Sequence, residues 1–122
     1  KEESTKIRVS VSDFIGSLER VSLIITERLR SPIRCLFEDD CIRLSCTTAI
    51  GRANDRLSAK IEGNSVEMGF NSRYLLDALR NAECDEVRIQ LNGPLSPLTI
   101  KPAEGDSFLF LVLPVRLKSG AE

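Results

Sequence analysis

Two stretches of the sequence, residues 9–18 (VSVSDFIGSL) and residues 70–79 (FNSRYLLDAL), share one pattern. In each stretch an apolar residue precedes Ser10 or Asn71, and these two residues favour the N-cap of a helix because their side-chain oxygens accept hydrogen bonds from free backbone N–H groups. Apolar residues then follow at helical spacing, namely Phe14, Ile15 and Leu18 in the first stretch and Leu75, Leu76 and Leu79 in the second. The two sets stand at one fixed offset, so the pattern predicts a structural unit that occurs twice.

Alternation of apolar and polar residues predicts strands on both sides of these helices. We expect the helices at residues 11–27 and 72–81, and strands at residues 5–11, 33–37, 42–46, 57–61, 66–70, 87–91, 98–100 and 108–113. The chain is then two copies of strand, helix, strand, strand, strand. Because neither copy alone buries enough apolar surface, the predicted fold class is α+β, with antiparallel sheet packed on two helices.

The composition is that of one ordinary globular domain. Of the 122 residues, 42% are hydrophobic and 29% are charged, and the net charge is −1. A protein that held DNA by bulk charge would be basic, so tight DNA binding by this chain alone is not expected. We find neither a signal peptide nor an apolar run of membrane-spanning length, so the expected location is cytoplasmic. The missing initial Met suggests a piece of a longer protein.

The residue types that most enzymes need are scarce in this sequence. It contains no histidine, so no Ser-His or Cys-His pair can be built, and no glycine-rich phosphate loop follows a strand. The acidic pair Asp39-Asp40 is better explained as a turn between strands than as a catalytic dyad. No CxxC pair occurs among Cys35, Cys41, Cys46 and Cys84, so we expect reduced, mostly buried thiols and neither a metal site nor a cofactor.

Some apolar residues do not fit a single core. On a helical wheel Leu23 lies opposite the first apolar stripe and Ile24 lies well off it, and Tyr74 lies away from the second stripe. The segment 108–113 is apolar on both of its faces. These residues are candidates for contacts beyond the domain, although scattered surface hydrophobes and a partly covered tyrosine explain them equally well.

Three segments resemble one family, the bacterial DNA sliding clamps, which are beta subunits of DNA polymerase III. Residues 69–79 (GFNSRYLLDAL) resemble the second helix of the last clamp domain, and residues 110–117 (FLVLPVRL) resemble the end of the clamp chain. Residues 20–24 (RVSLI) resemble the subunit-contact helix. The likeness implies a linker at residues 1–4, the third clamp domain at residues 5–117 and a polar tail at residues 118–122, which extends past the usual ending of the family.

The resemblance also implies a function. Two clamp subunits of three domains each close head to tail into a homodimer ring, helices line the hole for duplex DNA, and the ring makes synthesis processive. The clamp is non-catalytic, although it belongs to a DNA-directed DNA polymerase holoenzyme. Its implied partners are the polymerase III alpha subunit, the clamp loader, repair polymerases and mismatch-repair proteins. These partners dock through a short peptide, a glutamine followed by leucines and a phenylalanine.

The family's functional positions can be carried over residue by residue. Those that would line the peptide pocket are Asn71, Tyr74, Leu95, Pro97, Leu111, Val112, Leu113, Pro114, Val115, Arg116 and Leu117. Leu23 and Ile24 would lie at the subunit interface, and the residues that would face DNA are Arg20, Arg28, Arg73 and Arg80. A free-standing α+β peptide-binding adaptor unrelated to replication is the alternative, and it would have no reason to expose Leu23 and Ile24.

Overall fold

The computed structural model describes residues 4–26 and 31–117 of the chain. The described part contains two α-helices, α1 (Val11–Val21) and α2 (Ser72–Arg80). Its strands are β1 (Thr5–Ser10), β2 (Ile33–Glu38), β3 (Cys41–Thr48), β4 (Gly51–Ser58), β5 (Lys60–Glu62), β6 (Val66–Phe70), β7 (Glu86–Leu91), β8 (Leu98–Pro102) and β9 (Phe110–Val112). Neither helix is long and apolar enough to cross a membrane.

The strands form two antiparallel sheets, and each sheet takes strands from both repeats. One sheet has the order β5-β1-β7-β8-β9 and the other has the order β4-β3-β2-β6. The first strand of each repeat therefore pairs with the second strand of the other: Ile7 in β1 lies opposite Ile89 in β7, and Phe70 in β6 lies opposite Ile33 in β2. This exchange explains why one copy of the repeat cannot complete a sheet by itself.

A single hydrophobic core joins both sheets and both helices. Helix α1 buries Phe14, Leu18 and Val21, and α2 buries Leu75, Leu76 and Leu79. The helices begin where the sequence predicts, because the Ser10 hydroxyl accepts a hydrogen bond from the Asp13 N–H and the Asn71 side chain accepts one from the Arg73 N–H. The predicted α+β architecture of two repeats is confirmed.

The predicted end of the first helix is wrong. Helix α1 ends at Val21, a 3₁₀ turn follows at Ser22–Ile24, and Ile25 has extended dihedral angles. The residues that follow, Ile24, Ile25 and Thr26, are β-branched, and such residues lose side-chain freedom in a helix. The predicted last residue, Glu27, lies outside the described part of the chain.

The predicted strand at residues 57–61 covers the end of one strand and the start of another in a different sheet, and the first of them, β4, begins earlier than predicted, at Gly51. Strand β4 ends at Ser58 and β5 begins at Lys60, so the chain crosses between the sheets at Ala59. Asp40 holds this crossover from the tip of the β2–β3 hairpin: its carbonyl oxygen accepts from the Ala59 N–H at 3.1 Å and its Oδ1 accepts from the Ile61 N–H at 3.0 Å. Sequence alternation continued smoothly through Ala59 and gave no sign of the change of sheet.

The acidic pair at the hairpin tip is a turn, as predicted. Asp39 and Asp40 have φ angles of 58° and 55°, and Glu38 and Cys41 on either side are paired. Two consecutive residues with positive φ define the tight turn whose twist matches that of a β-hairpin. Aspartate tolerates this conformation better than most residues, which accounts for the pair without any catalytic role.

The last strand is shorter than the predicted 108–113, and the chain end crosses between sheets as well. Strand β9 covers Phe110–Val112, and after Pro114 the Val115 N–H donates to the Gly69 carbonyl oxygen of β6 at 2.8 Å. The Gly69–Val115 bridge mirrors the pairing of Arg8 with Lys60 in the first repeat. Since proline lacks an N–H donor, it is suited to a position where pairing with one sheet stops.

Asp40→Ala should destabilise the protein by roughly 1–2 kcal/mol, because alanine disfavours positive φ and cannot accept the Ile61 hydrogen bond. Asp40→Asn is the matched control, since asparagine tolerates positive φ and can accept the Ile61 hydrogen bond. Its urea midpoint should lie close to that of the parent. Urea denaturation followed by circular dichroism measures both variants. Equal midpoints for the alanine and asparagine variants would show that Asp40 does not hold the crossover.

Candidate functional site

A groove with a volume of about 600 Å³ runs between α2 and the segment that leads to the chain end. One wall is a single face of α2 together with its C-cap residue, and its members are Tyr74, Asp77, Ala78 and Asn81. These positions follow the spacing i, i+3, i+4, i+7, which places them in one row along a helix. The opposite wall is formed by Leu109, Phe110, Leu111, Val112, Leu113, Pro114 and Val115.

The chain-end wall presents an exposed row of leucines. Leu111 and Leu113 are 62% and 69% exposed, whereas Val112 between them is buried, as expected for alternating faces of a strand. Phe110 packs partly against the core and stacks on Phe108, with the ring centroids 4.9 Å apart. The segment therefore has one face fixed to the domain and one apolar face open to a partner.

The α2 wall supplies the polar groups of the groove. Tyr74 is 62% exposed, so its ring can pack while its hydroxyl stays in water. The Asn81 amide is already used, since it donates to the Asp77 carbonyl oxygen at 2.7 Å. Asp77 also lines the groove, which therefore combines many apolar side chains with a few polar groups, the usual composition of a ligand site.

Gly69 holds the end of this segment in place. A Cβ built on Gly69 would collide with the Leu117 side chain and would lie 3.1 Å from the Val115 carbonyl oxygen. Leu117 can cover β6 only because position 69 has no side chain. The groove wall is thus anchored at β9 on one side and at β6 on the other.

Six of the predicted pocket residues line the groove, and five do not. Those that line it are Tyr74, Leu111, Val112, Leu113, Pro114 and Val115. Asn71 caps α2 instead, Leu117 packs on Gly69, and Arg116 is exposed beyond the groove. Leu95 and Pro97 lie in the β7–β8 connection, where Pro97 precedes Leu98, the strand partner of Val112.

Sequence reasoning missed part of the groove, namely Asp77, Ala78, Asn81, Leu109 and Phe110. Helical spacing from Tyr74 would have found the three on α2. Alternation back from Leu111 would have found Leu109. The missing information was which face of α2 meets the chain end, and that depends on the sheet pairing of β9.

The two predicted interface residues point in different directions. Leu23 is 80% exposed, whereas Ile24 is partly buried and packs against the core. The 3₁₀ turn separates them, because its tighter winding rotates successive side chains further apart than an α-helix does. Leu23 is therefore the one of the pair that is open to a partner.

The predicted DNA-facing arginines have different surroundings. Arg20 pairs with Asp55 at 2.7 Å and Arg80 pairs with Glu19 at 2.7 Å. Arg73 is exposed and forms no ion pair with the residues of 4–26 and 31–117, and Arg28 lies outside the described residues. Burial acts to raise the pKa of Asp55, but the Ser17 hydroxyl and the Arg20 guanidinium outweigh it, so the pKa is lowered and the pair stays ionised.

The four cysteines are free thiols. Cys35 and Cys46 are buried, and burial raises the pKa of both thiols, so they remain protonated and unreactive. Within residues 4–26 and 31–117, no three Cys, Asp or Glu side chains come together in a way that could hold a metal ion.

The paired sheets, the two helices and the groove beside α2 match a known class of proteins. The sequence model of the family described as DNA polymerase III beta subunit, C-terminal domain, matches residues 1–116, and the chain belongs to this family. A beta sliding clamp of Staphylococcus aureus (strain Mu50 / ATCC 700699) is 34% identical over 118 residues, which cover 93% of this chain and 31% of that protein. The family resemblance predicted from the three segments is confirmed, and nothing favours an adaptor unrelated to replication.

Solved structures agree with this assignment. The DNA polymerase sliding clamp from Bacillus subtilis superposes with a TM-score of 0.89 at 27% identity, covering 97% of this chain and 32% of that one. A sliding clamp from Bartonella birtlesii, bound to griselimycin, gives a TM-score of 0.85 at 32% identity, covering 93% of this chain and 30% of that one. The chain spans about a third of the length of these relatives.

Gly69→Ala should destabilise the protein by about 1–3 kcal/mol and release the chain end, because the added methyl group displaces Leu117. The Val115 amide should then exchange its hydrogen faster than in the parent. Gly16→Ala in α1 is the control: the nearest atom to its Cβ is the flexible end of Arg20 at 3.4 Å, so alanine should stabilise the helix. Unchanged exchange at Val115 in Gly69→Ala would contradict the anchoring role of Gly69.

Proposed function

We propose that this chain is the third domain of a ring-shaped, non-catalytic processivity factor that encircles duplex DNA during replication. Family membership over residues 1–116 supports the proposal. The domain would contribute α1 and α2 to the lining of the ring, and its weak net charge suits a clamp that must slide rather than bind tightly. Arg73, exposed on α2, would act through phosphate charge without reading bases.

We propose further that the groove docks short peptides from the polymerase III alpha subunit, the clamp loader, repair polymerases and mismatch-repair proteins. The observation that carries this part is the open apolar row of Leu109, Leu111 and Leu113 facing Tyr74. Leucine and phenylalanine side chains of a docking peptide would cover this row, and its glutamine would meet the polar rim. The Bartonella clamp bound to griselimycin supports ligand binding in the family.

The ring contact would be made by Leu23 together with strand β4. Strand β4 is an edge strand of the four-stranded sheet, and the 3₁₀ turn that carries Leu23 contacts β3 and β4. An edge strand offers N–H and C=O groups to another chain, and an exposed leucine beside it adds apolar area. The partner surface would be the first domain of a second subunit.

Tyr74→Ala should weaken binding of a peptide with glutamine, leucines and phenylalanine by at least about tenfold, because aromatic anchors dominate small interfaces. Tyr74→Phe removes the hydroxyl but keeps the aromatic ring, and this variant should retain most of the affinity. Fluorescence anisotropy with the 122-residue chain measures the dissociation constant.

Arg73→Ala serves as the matched control, since Arg73 neighbours Tyr74 on α2 but does not line the groove. It should bind the peptide like the parent, and circular dichroism checks that each variant is folded. If folded Tyr74→Ala binds as tightly as Arg73→Ala, the peptide docks elsewhere.

Leu23→Ser should leave the melting temperature of the 122-residue chain almost unchanged, since Leu23 is exposed. In a full-length subunit that carries this domain, the same change should weaken the dimer by about tenfold or more, because interfaces depend on a few apolar anchors. Sedimentation velocity at falling concentration measures the dimer, with Leu95→Ser as an exposed-leucine control. A Leu23→Ser ring as stable as the Leu95→Ser ring would exclude Leu23 from the interface.

A further inference from the structure

The outer face of the four-stranded sheet carries a concentration of positive charge that the groove does not use. Strand alternation places Arg34, Arg43, Arg52 and Arg56 on this face, together with the acids Glu38 and Glu67. The opposite face of the same strands supplies core residues such as Cys35 and Leu44. This charged face is therefore separated from the helices by the sheet itself.

Three of these arginines surround a shallow concavity of about 440 Å³, and we call them the arginine patch: Arg34, Arg43 and Arg56. Two side-by-side rows of register partners form it. One row crosses all four strands as Glu67, Leu36, Arg43 and Arg56, and the other contains Arg34, Ser45 and Asn54. The patch is therefore a built surface with an apolar centre at Leu36 and polar groups around it.

The pairing of Arg43 with Arg56 is unfavourable within the domain. The two arginines are direct register partners on β3 and β4, and like charges placed directly opposite destabilise a sheet. Glu67 on the same face pairs with Arg34 at 3.6 Å rather than with either of them. Neither Arg43 nor Arg56 forms an ion pair with the side chains of residues 4–26 and 31–117. The repulsion is relieved when external carboxylates lie between the two guanidinium groups.

We propose that the arginine patch is a second docking surface, which binds an extended acidic peptide segment of a partner protein. Carboxylates of the segment pair with Arg43 and Arg56, and an apolar residue on the same face of the segment covers the half-buried Leu36, which lies next to Arg43 in the row. The size of the patch favours a peptide over a nucleic acid: two free arginines in one cross-strand pair match two carboxylates, whereas a phosphate backbone calls for a longer basic track.

The patch and the groove are separate surfaces, so this proposal does not depend on the proposed function. The groove lies beside α2 and the chain end, and none of its lining residues belongs to the arginine patch. Tyr74→Ala should therefore leave binding at the patch intact, and variants of the patch should leave binding at the groove intact.

The test uses the 122-residue chain and a labelled peptide whose extended form carries one leucine and two glutamates on the same face, at about 0.15 M ionic strength. Changing both Arg43 and Arg56 to glutamate should weaken binding by at least about tenfold, since each charge pair becomes repulsive. Arg52→Glu is the charge-matched control for a single Arg56→Glu change, because Arg52 is exposed on the same strand and face as Arg56 but lies outside the concavity. It should change the affinity by less than about twofold, because exposed charges at a distance are screened.

Stability gives a second readout that remains available if the double variant does not fold. Arg56→Gln should raise the melting temperature while weakening peptide binding, because it removes the repulsion and one carboxylate partner together. A lower melting temperature with unchanged peptide affinity would mean that Arg56 has a structural role only, which contradicts the proposal.

Three outcomes of the binding experiment would overturn the proposal. Equal losses in Arg56→Glu and in Arg52→Glu would show a diffuse charge effect. Equal binding of a lysine-leucine peptide would show that the contact is not electrostatic. Displacement of the acidic peptide by a short DNA duplex at lower concentration, lost in the double variant, would assign the patch to nucleic acid.

Discussion

The exchange of strands between the two repeats is the constraint on which the rest of the structure depends. Because β1 pairs with β7 and β6 pairs with β2, each sheet is completed by the other repeat. The apolar stripes of α1 and α2 can then bury themselves in one shared core rather than in two small ones. A small domain buries a limited fraction of its surface, so two short repeats are stable together because they share one core.

The same exchange positions the candidate site. After β9 the chain leaves its own sheet and joins the other one at Gly69, as the first repeat does between β4 and β5. This crossing takes the segment through Leu113 and Pro114 past the exposed face of α2, and the groove is the space between them. The candidate docking groove thus results from the crossing of the chain end between the two sheets, and its apolar wall is fixed at β9 and at β6.

Features that depend only on neighbouring residues could be predicted from the sequence, whereas features that depend on tertiary pairing could not. Ser10 and Asn71 mark the helix starts because capping involves only neighbouring residues. The crossover at Ala59 was missed because strand alternation is the same whichever sheet a strand joins. In the candidate site, the resemblance identified Tyr74 and the chain end. The resemblance also placed Leu95 and Pro97 in the pocket. These two residues lie in the β7–β8 connection, and the position of that connection depends on the register of the strands, which the sequence pattern does not give.

The order in which the strands are synthesised has a consequence for the newborn chain. As the protein leaves the ribosome, β1 to β5 emerge before β7, so one of the two strand partners of β1 is still missing. Until β6 emerges, β2 has an unpaired edge, and until β7 emerges, β1 has one as well, a state in which nascent chains are prone to associate with one another. Folding of this domain must therefore wait until most of its length has emerged, because both sheets need strands from the second repeat.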